Sequence, residues 1–86
     1  TAAAHNHASA LYQLGKCYYF GEGVCINYAL ALQYLQCSAQ RNHAEAQHLL
    51  ALCYLHGHGT VTDYTTAHYW LRQAAAQGHT AAQALL

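Results

Sequence analysis

Histidine and cysteine are the residues here best equipped for chemistry: eight and four of them stand beside only three Lys/Arg and three Asp/Glu. The sharpest local pattern is Cys53-x-x-His56-x-His58. On a helix Cys53 and His56 lie one turn apart, and with His58 from the following loop they form a donor set for zinc. Thirty-six residues earlier the same places hold Cys17, Phe20 and Glu22, so the donor set is not repeated. The histidines also allow a pH response, since imidazoles titrate near pH ~6.5 and little else carries charge. Mild acid would take the formal charge from zero toward +8. A Cys–His nucleophile needs an exposed thiol, an oriented base and an oxyanion site. No strained nucleophile turn or carboxylate pair is evident, and Gly21-Glu22-Gly23 is too short to cradle a phosphate. The residues therefore predict no enzyme and no cofactor.

The elements that position these residues repeat. His7 recurs as His43 and His79, at an offset of 36. Ala8, Ala10, Leu14, Cys17, Tyr18, Gly21, Gly23, Tyr28, Ala31, Leu35 and Ala39 recur as Ala44, Ala46, Leu50, Cys53, Tyr54, Gly57, Gly59, Tyr64, Ala67, Leu71 and Ala75. A period in the thirties marks a stacked helical array, each unit burying its apolar face on a neighbour. Within a unit, Ala8 to Phe20 predicts a helix with Leu11, Leu14, Gly15 and Tyr18 facing the core. Gly21 closes that helix in a left-handed conformation, and Val24 is expected to fold back onto the core. Asn27 and Asp63 are suited to cap the second helix, about Tyr28 to Gln40 in the first unit. Its stripe is Tyr28, Ala31, Leu32, Leu35 and Ala39. Positions 6, 42 and 78 read Asn, Asn and Gly, which tolerate positive φ, so a turn is expected at each, with the following histidine structural at a helix start. The phase divides the chain into 1–6 (end of a preceding unit), 7–42, 43–78 and 79–86 (start of a following unit). No leader peptide is read before the first unit, and the array reads as cut inside units at both ends.

Composition narrows the classes further. Eighty-six residues, 55% hydrophobic, form one thin-cored domain without room for a deep cavity. Zero formal charge leaves no basic footprint for nucleic acid, and the apolar runs fall well short of the ~20 residues that cross a bilayer. Cys17 and Cys53, at equivalent positions, read as buried thiols, whereas Cys25 and Cys37 have no counterparts. Four cysteines also allow a disulfide framework, so the redox compartment stays open.

At Ala10 to Val24 the pattern Ala-x-x-x-Leu-Gly-x-x-Tyr-x-x-Gly-x-Gly-Val resembles the first half of the Sel-one-like repeat, which is related to the tetratricopeptide repeat. The second half is similar at Asn27, Ala31, Tyr34, Ser38, Ala39 and Asn42, and again at Asp63, Ala67, Trp70, Ala74, Ala75 and Gly78. Ala51 in place of glycine and Thr60 in place of valine depart from it, which predicts an altered helix spacing and loop in the second unit. The resemblance implies an all-α superhelix (solenoid) of antiparallel helix pairs, serving as a non-catalytic adaptor or scaffold.

It also implies that the first helix of each pair lines a concave face. Residues rotated away from the core stripe are Ser9, Tyr12, Lys16 and Tyr19, then Glu45, His48, Leu52 and Leu55, with His56 beside them. Tyr12, Tyr19, Leu52 and Leu55 would floor a groove for a partner peptide or helix, and Lys16, Glu45 and His48 would give polar selectivity. The competing reading is that Tyr19 and Leu55 only complete packing between units. A zinc-binding or histidine-based pH-responsive interaction module is the alternative function. Self-association through uncapped ends is a further expectation.

Overall fold

A computed structural model describes the backbone of residues 2–86 and the side chains from His7 onward. Five helices run through the described residues: α1 (Ala2–Phe20), α2 (Tyr28–Gln40), α3 (Ala44–His56), α4 (Tyr64–Ala76) and α5 (Thr80–Leu85). α1 pairs with α2 and α3 with α4, α2 and α3 join the two pairs, and α5 packs on α4. The fold is an all-α stack of antiparallel helix pairs, a slab of 33 × 31 × 17 Å.

The starts of α2, α3, α4 and α5 each follow from a side chain that accepts one of the amides left without a partner in the first turn. Asn27 Oδ1 accepts from the Leu30 amide at 3.2 Å, and Asp63 Oδ1 from the Thr66 amide at 3.2 Å. His43 and His79 do the same through Nδ1, from Ala46 and Ala82, each at 3.2 Å. Two of the three junction histidines, His43 and His79, are thus helix caps. α2 is capped at its C-terminus by Arg41, followed by Asn42 at φ 69°, and α4 by Gln77, followed by Gly78 at φ 87°. The equivalent turn expected at Asn6 is not formed, and His7 lies inside α1 rather than at a helix start. The alanine run Ala2–Ala4 is the strongest of helix formers and carries the helix through that position. Thr1 and the side chains of 2–6, read above as the end of a preceding unit, lie outside the described residues.

Two apolar layers hold the pairs together. The first joins Ala31, Leu35 and Ala39 of α2 to Ala46, Leu49, Leu50 and Cys53 of α3. The second joins Ala51 to Ala67, Leu71, Ala74 and Ala82. Gly15 shows why α1 and α2 approach so closely: a Cβ there would lie 2.8 Å from Leu35 Cγ. In the second unit Ala51 is accommodated at the equivalent place, fully buried.

Three expectations about the core need correction. Leu14 is 45% exposed, whereas its repeat equivalent Leu50 is fully buried. Cys17 is only half-buried, whereas Cys53 is fully buried. In both cases α3 has α2 against that face, and no described helix covers it on α1. Val24 is exposed rather than folded onto the core.

The two Gly-x-Gly turns share one geometry, with Gly21 and Gly23 at φ 72° and 76°, Gly57 and Gly59 at 69° and 77°. At Gly59 a Cβ would lie 2.5 Å from the Tyr28 carbonyl oxygen. Only glycine lets the loop of the second unit sit against the start of α2.

Candidate partner-binding face

The candidate residues fall into three places along the side shared by α1 and α3. The first is a corner between α1 and the α2–α3 turn. There Tyr12 stacks on His43, ring centroids 5.0 Å apart. Tyr12, His43 and Glu45 line a cleft of about 350 Å³ together with Ser9, Gln13, Asn42, Ala44 and Gln77. Burial, then the charge of Glu45 and hydrogen bonding to it, raise the Tyr12 phenol above its ordinary value.

The second place is an aromatic cluster around the second glycine turn. His58 Nδ1 and the Tyr19 hydroxyl are 3.0 Å apart, and the His58 ring lies nearly parallel to Tyr28 at 4.3 Å. Tyr19 also meets Phe20 and Tyr28 edge-on. Burial foremost, with Cys53 and Tyr28 adding to it, raises the Tyr19 phenol. Tyr19 is therefore committed to joining the two units.

The third is His48 against His79, ring centroids 4.8 Å apart. This contact repeats Tyr12–His43 one unit later, with imidazole in place of phenol. Burial first and the neighbouring His79 second lower the His48 pKa from its ordinary value.

The remaining candidates are dispersed. Leu52 is half-buried against the first apolar layer and Leu55 against the second. Lys16 is half-buried on α1, one turn beyond Tyr12, and His56 is exposed with its ring 5.6 Å from that of His58. The zinc set does not converge. Cys53 is fully buried, its thiol pushed up to about 12 by burial, while His58 is taken up by Tyr19 and Tyr28. No group of three His, Cys, Asp or Glu side chains able to hold a metal occurs among the described residues. All four cysteines are free thiols.

Polar residues missed from sequence complete the first corner. Gln47 Nε2 donates to the Ala39 carbonyl at 3.1 Å and to Asn42 Oδ1 at 3.3 Å. Gln77 Nε2 donates to Asn42 Oδ1 at 3.2 Å and to Gln47 Oε1 at 3.0 Å. The signal was present: Gln83 repeats Gln47 and donates to the Ala75 carbonyl at 3.0 Å. Leu11 stands at that position in the first unit, which hides the echo.

Capped helix pairs, glycine turns and a periodic small-residue stripe define a helical-repeat protein of the tetratricopeptide-like class. Residues 8–43 and 44–79 each match the Sel1 repeat, and the chain belongs to that family. It is 34% identical to a Sel1 repeat protein from Oxalobacter formigenes, over 95% of this chain and 34% of that one, with a TM-score of 0.87. It is 35% identical to c5321, a protective antigen present in uropathogenic Escherichia coli strains, over 95% of this chain and 18% of that one, at a TM-score of 0.86. Helicobacter pylori cysteine rich protein B shares the fold at 23% identity and a TM-score of 0.86, over 94% of this chain and 61% of that one. The chain thus spans about a third of the first of these proteins and under a fifth of the second. No curated protein sequence matches it significantly. No described helix is long and apolar enough to cross a membrane.

Proposed function

We propose that the chain is a protein-interaction module, without catalysis of its own, that takes a partner segment along the α1–α3 side. The observation that carries this reading is the cleft at the first corner, where Tyr12 and Glu45 meet exposed Gln13 and Asn42. An aromatic ring beside amides and a carboxylate offers apolar area together with the hydrogen-bonding groups that fix a peptide's orientation. Units 7–42 and 43–78, with 79–86 starting another, are the proposed building blocks. His79 caps α5 as His43 caps α3, which supports that partition.

The test is site-specific photo-crosslinking in the protein's native host. A benzophenone side chain at position 12 or 45 should trap one common partner. The same group at Tyr69, exposed on α4, should not. Trapping from position 69 alone would overturn the proposal. Leu52 is unsuited to this test, because a change there disturbs the apolar layer it packs on.

A histidine-based pH response is a second reading, carried by the His48–His79 contact.

A further inference from the structure

Glu45 is the one formally charged residue lining the cleft, and no lysine or arginine lines it with Glu45. The rest of the lining is neutral and polar except Ala44, with two aromatic rings, Tyr12 and His43, stacked at 5.0 Å. A partner group entering here meets a carboxylate next to a ring system. Resting on the interaction reading above, we infer that the cleft selects a partner segment that presents an arginine side chain to Glu45. A guanidinium is planar, always charged and able to fork onto both oxygens of a carboxylate. It also lies flat on aromatic rings, where an ammonium acts only as a point charge. An aspartate or glutamate side chain would meet repulsion from Glu45 with no lysine or arginine in the lining to relieve it. The exposed Gln13 amide suits the main chain beside the arginine, whereas Gln77 Nε2 and Asn42 Oδ1 are engaged with each other and with Gln47.

Nearby positive charges belong to the protein itself. Arg41 is exposed at the end of α2, and Lys16 follows Tyr12 by one turn on α1, yet neither lines the cleft. As charges outside the lining they oppose an incoming cation, and salt screens that repulsion as it screens the attraction of Glu45.

The experiment is an amide and aromatic NMR titration of the whole 86-residue chain with three capped pentapeptides: Ac-AARAA-NH2, the same peptide with citrulline, and the same with glutamate. Citrulline keeps the shape of arginine and removes its charge. The arginine peptide should shift the Tyr12 ring and the amides of Ala44 to Ala46, and bind about fivefold more tightly than the citrulline peptide at low salt. Glu45→Gln should remove that difference, and raising the salt should shrink it. If the citrulline or glutamate peptide binds the same cleft as tightly, the arginine preference is overturned and the interaction reading stands. If all three peptides perturb only other surfaces, both are overturned.

Discussion

His43 and His79 accept amide protons at Nδ1, so each neutral ring carries its own proton on Nε2. Protonation of Nδ1 would abolish the cap. His48 adds a second pressure, because its pKa is lowered by burial and by His79. A base with a lowered folded-state pKa binds fewer protons when folded than when unfolded, so stability rises with pH across that window. The contribution is complete above the ordinary value of 6.5 and is lost as the pH falls from there through the lowered value. Thermal melting should therefore drop between pH 7.5 and 5.5. His48→Tyr, which copies Tyr12, should flatten the drop, and an unchanged slope would remove His48 from the account. Cysteine reactivity makes an independent prediction. With its thiol pushed to about 12 and fully buried, Cys53 should resist alkylation of the folded protein at pH 8. Exposed Cys25 and Cys37 should label first, as peptide mass spectrometry will register.

At the scale of elements, one residue type at one repeat position has opposite consequences. Leu50→Ala empties a fully buried site and should cost about 2–5 kcal/mol in denaturant unfolding. Leu14→Ala removes a side chain that is 45% exposed and should cost under ~1 kcal/mol. Equal costs would mean that the faces of α1 and α3 are equally covered in solution. The pair also shows what could be read from sequence. Periodicity located the helices, the glycine turns and the Asn27 and Asp63 caps, because those depend on local spacing and backbone conformation. Periodicity treats Leu14 and Leu50 as equals, since it does not register which helix lies opposite. The same limit applies to the candidate site. Tyr12 and Glu45 were legible as residues pointing away from the core. Gln13 adjoins Tyr12 on α1, whereas Asn42 in the α2–α3 turn and Gln77 at the end of α4 come from other elements and converge only when the pairs stack. Cys53 and His58 show the converse: close spacing in sequence, with side chains engaged on different neighbours.

For the whole molecule, the two apolar layers are thin, and the units meet through rings and amides as well as aliphatic contacts. His58 binds the second glycine turn to Tyr19 and Tyr28 of the first unit, and Gln77 bonds from the end of α4 back to Asn42. The histidine caps carry the furthest consequence. His43 starts α3 and also stacks on Tyr12 of α1; His79 starts α5 and also meets His48 of α3. Beginning a helix and docking it on the previous unit thus depend on one side chain. Releasing the neighbour strips away the ring contact that holds the capping side chain of the unit's own first turn in place. Repeat arrays with weak nearest-neighbour coupling melt piecemeal. Here the shared side chain makes unravelling cooperative, so far-ultraviolet helix and near-ultraviolet tyrosine signals should be lost in one coincident transition. Two separated transitions would show that each unit holds its own fold. Each junction histidine is, in effect, the point at which local order in one repeat becomes a condition for order in the next.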